Sequence, residues 1–324
     1  MLHLRLIVPA DRTAETVDLI DRTVGTAHLV VLPGAARDPA GDVVLCDVTR
    51  ETGDELISGL QDLGVDRGGA ITAESLDLSL SRQAERAERE APGEAADAVL
   101  WEQLEEATQE ESTLSITYVA FITLATMIAA CGVVLDNAVL IVGAMAVGPE
   151  FGPLAGICTA IVQRAPRLAL RSALALVLGF AAAMAVTAGF TLFMDAVGLF
   201  SRGRLEGARP NTGFVAAPDW FSFVVAVLAG IAGTLSLTSA KSGALVGVAI
   251  SVTTVPAAAN AAVALVYDDT HQSWHSAQQL VLNLSGIVLA GTLTLLTQKA
   301  LWAWRRPRTT RPARPRGRRG SRPA

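Results

Sequence analysis

The spacing of hydrophobic positions changes near residue 112 and divides the chain into two regions. Before residue 112, short apolar runs alternate with amphipathic segments, which is typical of strands and helices in a small domain. After it come apolar stretches that are each long enough to cross a hydrocarbon core about 30 Å thick. The six predicted spans cover residues 114–135, 138–162, 168–194, 220–237, 244–267 and 277–301. The predicted fold class is an α-helical polytopic membrane domain preceded by a small α+β domain.

The first region predicts the order βαββαβ, which is the split ferredoxin-like arrangement. Strands are predicted at 4–8, 27–32, 42–48 and 70–80, with one helix at 13–24 and a second that begins at a capping box on Thr52. The predicted domains are a cytoplasmic ferredoxin-like domain (1–80), a charged linker helix (81–112), the six-span domain (113–304) and a disordered arginine-rich tail (305–324).

The composition supports a membrane protein, because 51% of the residues are hydrophobic and 18% are charged. Nine arginines lie between residues 305 and 322, in a tail that has no apolar periodicity. We expect this tail to attract anionic lipid, and we expect no nucleic-acid partner. The cysteines, Cys46, Cys131 and Cys158, lack metal-ligating spacing, so neither a metal nor a cofactor is predicted.

Basic residues near span ends favour the cytoplasmic side of a membrane. Arg164, Arg167 and Arg171 lie between the second and third spans, Lys241 lies between the fourth and fifth, and the arginine tail follows the sixth. With both termini cytoplasmic, all three groups fall on the same side. The loop 201–219 is then outside although it carries three arginines, which argues against this orientation.

The second predicted span contains a carboxylate and two prolines, which predict breaks in the helix. Pro149 and Pro153 flank Glu150. A broken span is tolerated where it packs on protein or lines a cavity, and a charged group at that depth marks an ion or substrate path by default. We therefore interpret Glu150 as a proton carrier or cation ligand. The alternative is a neutral carboxyl group that joins the broken helix to a neighbour.

The fifth predicted span repeats this pattern faintly. A third helix break is predicted at Pro256, and Thr253, Thr254 and Asn260 around it supply hydroxyl and amide oxygens that suit a small cation. Their alternative role is to satisfy backbone groups that the proline releases. Three spans in each half would give an inverted 3+3 repeat, the plan of many secondary transporters. The pairing predicts that Glu150 lies near Thr253–Asn260.

Two charged residues in short turns are candidate gates. Asp136 lies between the first and second spans, and Lys241 lies in the corresponding turn between the fourth and fifth. A charged residue in such a turn also serves as a solvated helix cap, and both interpretations stay open.

The broken spans also resemble a known family. Residues 143–145 and 148–153, then 247–256 and Asn283, are similar to two blocks of the bacterial family named domain of unknown function 389. The resemblance covers roughly residues 112–301. It implies an architecture and little chemistry, because the family has no settled activity.

The resemblance implies a bacterial protein, and we expect it to lie in the cytoplasmic (inner) membrane. Glu150 departs from the family pattern, in which an apolar residue is expected, and Pro256 stands alone where a proline pair is usual.

The function predicted is that of a transporter or channel for a small solute or ion, through a site at broken spans 2 and 5. The alternative is a membrane-anchored sensor or scaffold whose N-terminal domain binds a ligand or partner. Neither a nucleophile elbow nor a phosphate loop is present, so we expect no enzyme. The expected partners are the lipid bilayer, the solute or ion, and a second copy of the chain.

Overall fold

The computed structural model describes residues 1–76, 78–91, 99–216, 220–239 and 253–305. The chain divides into two compact units. One unit comprises Met1–Trp101 with Trp302–Ala324, and the other comprises Glu102–Leu301.

The N-terminal unit is a four-stranded antiparallel sheet with helices. The strand order is β2-β3-β1-β4, so that the first strand lies between the third and the fourth. The elements are β1 (Leu2–Val8), α1 (Thr13–Arg22), β2 (Thr26–Arg37), β3 (Ala40–Val48), α2 (Arg50–Asp62), α3 (Val65–Gly68), β4 (Ala70–Ser75) and α4 (Arg82–Glu90).

Buried and more exposed side chains alternate along β1, and the buried ones form part of the core of this unit. Leu2, Leu4 and Leu6 are buried on one face of the strand, where they join Leu56 and Leu60 of α2 in one hydrophobic cluster. Side chains that alternate along a strand point to opposite faces, so this face of the sheet packs on the helices.

Three boundaries predicted for this unit were wrong. The hairpin of β2 and β3 is longer than expected, because pairing continues to Arg37 and Ala40. Strand β4 ends at Ser75 and does not reach residue 80. Helix α2 begins at Arg50, so Thr52 lies inside the helix, where its hydroxyl group is 3.1 Å from that of Thr49.

The second unit is helical. Its elements are α5 (Trp101–Glu111), α6 (Ile116–Val134), α7 (Ala138–Val147), α8 (Phe151–Gln163), α9 (Pro166–Ala196), α10 (Arg202–Glu206), a 3₁₀ turn (Gly213–Ala216), α11 (Trp220–Thr238), α12 (Thr254–Val266) and α13 (Thr270–Arg305).

Four helices in the described residues are long and apolar enough to cross a membrane: α6, α9, α11 and the Thr270–Leu301 part of α13. Helices α7 and α8 together make a fifth candidate, bent by 52° at a short break. The sequence predicts six spans. Residues 244–252 of the fifth predicted span lie outside the described residues, and the described part of this span contains the short helix α12. The apolar helices show a membrane protein, and the described residues account for four or five spans.

Small side chains let these helices approach closely. Ala125 and Ala129 of α6, Ala175 of α9, and Ala257 and Ala258 of α12 are fully buried in one cluster. Larger residues on the other faces, such as those at 170, 174 and 178 of α9, are exposed, as expected where a helix contacts lipid.

Candidate functional site

The break between α7 and α8 positions the central carboxylate. Helix α7 ends at Val147, and α8 begins at Phe151. Pro149 lies in the break, where its lack of an N–H group costs no helical hydrogen bond. The prediction of a second break at Pro153 was wrong. Pro153 is the third residue of α8, where the backbone N–H has no intrahelical partner in any case.

Glu150 is buried and only partly paired. It is 4% exposed, and the Thr254 hydroxyl group donates a 2.7 Å hydrogen bond to its Oε1 atom. Among the described residues, its Oε2 atom has no hydrogen-bond partner. A side chain at Gly148 would overlap this oxygen. Glycine at position 148 therefore lets the carboxyl group of Glu150 pack against the backbone of the break.

Thr253 takes part in a second contact, with α13. The Asn283 side-chain amide donates a 2.9 Å hydrogen bond to the Thr253 hydroxyl group, and Gln279 lies one helical turn away on the same face of α13. Gln279 is fully buried, and its Oε1 atom has no partner within the described part of the chain. Buried polar atoms without partners commonly mark water or a bound ligand.

Asn260 lies further along α12 than Thr254, the residue that binds Glu150. It follows Thr254 by six residues, which is about 9 Å along a helix axis. Asn260 is fully buried and donates a 2.6 Å hydrogen bond to the Ser276 hydroxyl group. Its side-chain oxygen accepts a 3.0 Å bond from the guanidinium group of Arg209. The predicted site residues therefore form two clusters along α12, and Arg209 completes the second one.

Asp136 holds the loop that carries Arg209. Its carboxylate accepts hydrogen bonds from the backbone N–H groups of Asn211 and Thr212, at 3.1 and 2.9 Å, and from the Thr212 hydroxyl group at 2.9 Å. Burial raises the pKa of Asp136, but these hydrogen bonds together outweigh burial and lower it below 3.8. Burial lowers the pKa of Arg209, and the carboxylates of Asp136 and Asp269 oppose this shift. The other candidate gate, Lys241, lies outside the described residues.

Comparison with known proteins agrees with the resemblance noted in the sequence. Residues 145–289 match the family model described as Domain of unknown function (DUF389). This segment is therefore similar to that family. An uncharacterized protein of Methanocaldococcus jannaschii is 27% identical over 211 residues, which cover 62% of this chain and 62% of that protein. No solved structure matches the chain.

The segment that matches the family model contains both clusters and a polar stripe that sequence reasoning missed, apart from Asn283. Gln272, Ser276, Gln279 and Asn283 follow one another on α13 at intervals of four, three and four residues. This spacing places them on one face of the helix. The same periodicity of polar residues in an apolar span could have identified the stripe from the sequence. Arg209 carried no such signal, because it lies in a loop.

The stripe on α13 contacts polar side chains of α12 at two levels within the matched segment. Antiparallel pairing sets Ser276 against Asn260 and Asn283 against Thr253, and Thr254 contacts Glu150. The polar groups thus run from Arg209 at one end to Glu150 in the interior. We call this arrangement the polar column. Hydroxyl, amide and carboxyl oxygens of this kind can bind a small cation or relay a proton.

Proposed function

We propose that the chain is a membrane transporter or channel that passes a small solute or ion through the polar column, with a proton or small cation held at Glu150. One observation carries the proposal. A buried carboxyl group has one oxygen bound to Thr254 and, among the described residues, no hydrogen-bond partner on the other.

The position of Glu150 suits a group that gains and loses a proton. Burial in an apolar domain favours a neutral carboxyl group. Two helix N-termini act in the opposite sense, because Glu150 directly precedes α8 and contacts Thr254, the first residue of α12. The N-terminus of a helix carries partial positive charge and stabilises a carboxylate. These opposing effects allow both charge states, as a coupling site requires.

The two short helices support the inverted-repeat part of the proposal. Helices α8 and α12 both have 13 residues, and each has a proline as its third residue, Pro153 in one and Pro256 in the other. Paired half-helices with converging N-termini are typical of transporter sites at the membrane midplane. Six spans in two inverted halves remain part of this proposal.

Arg209 supports a gate at one end of the polar column. Its guanidinium group contacts buried Asn260, and its loop is held by Asp136, whose carboxylate accepts hydrogen bonds from four donor groups of Asn211 and Thr212. A cation that leaves or enters at this end would have to displace a positive charge. We therefore propose that Asp136 is a latch and that Arg209 is the barrier that it holds closed.

The remaining parts of the proposal concern location and the N-terminal unit. A cytoplasmic-membrane protein with both termini inside would place the turns at Asp136, Arg209 and Asp269 outside, which agrees with their proximity at one end of the domain. The antiparallel order β2-β3-β1-β4 is consistent with the ferredoxin-like arrangement predicted for residues 1–80.

The test uses the full chain in proteoliposomes that enclose a pH-sensitive dye, with imposed gradients of H⁺, Na⁺ or K⁺. We expect proton movement in the wild type and its loss in Glu150→Gln. Asp195→Asn is the matched control, because Asp195 also binds a hydroxyl group, that of Tyr267, but is exposed at a helix end. If Glu150→Gln carries protons as fast as the wild type, Glu150 is not the coupling group. If none of the imposed gradients drives proton movement in the wild type, the sensor or scaffold alternative becomes the better hypothesis.

A further inference from the structure

A hydrogen-bonded chain of serine, histidine and aspartate lies in the N-terminal unit. His28 Nε2 is 2.7 Å from the Ser81 hydroxyl oxygen, and His28 Nδ1 is 2.6 Å from Asp47 Oδ2. A nucleophile in hydrogen-bond reach of a base that a third group orients is the recurrent arrangement of nucleophilic catalysis. The three residues are separated by 19 and 34 positions in the sequence, and no local motif connects them.

The sheet holds the base in place. Asp47 lies in β3, its side chain is 10% exposed, and its other oxygen is 2.7 Å from His3 Nδ1, its cross-strand neighbour in β1. His28 lies in β2 where the pairing with β3 shifts register, and its φ angle is +52°. A non-glycine residue in this left-handed region is strained, and such strain concentrates at functional sites. The irregular strand turns the imidazole ring towards both Asp47 and Ser81.

The hydrogen bonds define the proton positions when His28 is neutral. The carboxylate of Asp47 only accepts, so His28 Nδ1 carries the hydrogen. Nε2 is then a free acceptor, and the Ser81 hydroxyl group donates to it. The Ala84 N–H donates a 3.0 Å bond to the Ser81 oxygen, which makes Ser81 the N-cap of α4. The N–H group of Arg82, the next residue, belongs to the first turn and has no intrahelical partner.

We propose that Ser81 is a catalytic nucleophile, activated by His28 and Asp47, that cleaves carboxylic esters. The Ser81 oxygen attacks the ester carbonyl carbon while its proton passes to His28 Nε2. The oxyanion forms beside the first N–H groups of α4, and the leaving alkoxide takes the proton from His28 as the C–O bond breaks. Water then attacks the acyl-serine and gives a proton to His28. The bond between the acyl carbon and the Ser81 oxygen breaks, the Ser81 oxygen takes the proton back from His28, and the acid leaves.

The surface around Ser81 indicates an apolar acyl group. The His28 side chain is 32% exposed and Ser81 is partly exposed, so a substrate can reach them. Leu78 and Leu80, three and one positions before Ser81, are 71% and 86% exposed. They offer apolar contact to an acyl chain beside the nucleophile. This activity would differ from transport, and it departs from the expectation that the chain is no enzyme.

The test treats the purified full chain with a fluorophosphonate probe, which loses fluoride when an activated serine attacks phosphorus, and maps the labelled peptide. We expect labelling at Ser81. His28→Gln should slow it by about 100-fold or more, since a general base contributes about 10²–10⁴. Asp47→Asn should slow it by about tenfold or more, because the imidazole loses its orienting group. The same chain should release p-nitrophenolate from p-nitrophenyl butyrate.

Two serines provide the controls. Ser81→Asn removes the nucleophile, and asparagine is as good an N-cap as serine, so helix α4 should keep its cap while labelling and ester cleavage disappear. Ser115 caps α6 in the same way, through the N–H of Tyr118 at 3.0 Å, with no histidine among its hydrogen-bond partners in the described residues. It should stay unlabelled. The proposal is overturned if Ser81 is not labelled, if His28→Gln reacts at the wild-type rate, or if p-nitrophenolate release does not depend on Ser81.

Discussion

Replacing Thr254 by valine tests whether Thr254 and Glu150 form one buried unit. Valine has nearly the same shape as threonine but no hydroxyl group, so Thr254→Val removes the 2.7 Å hydrogen bond to Glu150 and adds little strain. Glu150 would then lose the one side-chain hydrogen bond it makes within the described residues. A buried polar group that loses its partner costs about 1–3 kcal/mol in free energy of unfolding.

The effect should appear in thermal unfolding of the purified full chain. For a unit of about 200 residues, Glu102–Leu301, each kcal/mol lowers the midpoint by about 2–4 °C. We expect Thr254→Val to lower the midpoint by about 2–12 °C. Thr191→Val is the matched control, because Thr191 is equally buried but its hydroxyl group bonds the backbone oxygen of Thr187 in its own helix. That local bond contributes little to helix stability.

A second comparison separates hydrogen bonding from packing. Thr254→Ser keeps the hydroxyl group and removes one methyl group, so it should lower the midpoint less than Thr254→Val if the bond to Glu150 dominates. The reasoning is refuted if Thr254→Val and Thr191→Val lower the midpoint equally, or if the serine variant is the less stable of the two substitutions at residue 254.

Three further predictions concern other parts of the chain. Gly156→Ala should lower the midpoint markedly, because its new methyl group would overlap two buried serine hydroxyl groups, whereas Gly189→Ala, with no atom within 4 Å, should leave it unchanged or raise it. The pKa of Asp136 is lowered in the folded state, so its carboxylate stabilises the fold above the unfolded pKa, and this contribution is lost as the pH falls through the lower folded value. Asp136→Asn should therefore flatten the loss of stability below about pH 4 in midpoints measured against pH. Leu4→Ala, at a fully buried position of β1, should cost about 2–5 kcal/mol in the N-terminal unit, measured by the loss of its circular dichroism signal on heating; an unchanged midpoint would contradict the assigned core.

Local patterns were sufficient for much of the architecture. Apolar and polar residues that alternate at every second position predicted the strands, because one face of a sheet must be buried. The length of the apolar stretches indicated the spans. The ends of elements were less predictable. Strand β4 ends at Ser75 because pairing with β1 ends there, and pairing is a property of two distant segments.

In the candidate site, too, local sequence patterns predicted some features and contacts between distant segments decided the others. Glu150, Thr253, Thr254 and Asn260 could be singled out because a carboxyl group or a proline in an apolar stretch is costly and therefore conspicuous. The structure distributes them over two clusters and adds Arg209, which lies 51 residues from its partner Asn260.

The sequence by itself determined that the chain is a membrane protein with an N-terminal α+β unit, a helix break at Pro149 and a carboxyl group inside the apolar region. Tertiary structure alone decided which polar groups meet: Thr254 with Glu150, Arg209 with Asn260, and Ser81 with His28. Each of these contacts joins side chains from different elements. Its existence depends on how those elements are rotated and shifted against each other, and the local spacing of residues does not encode those displacements.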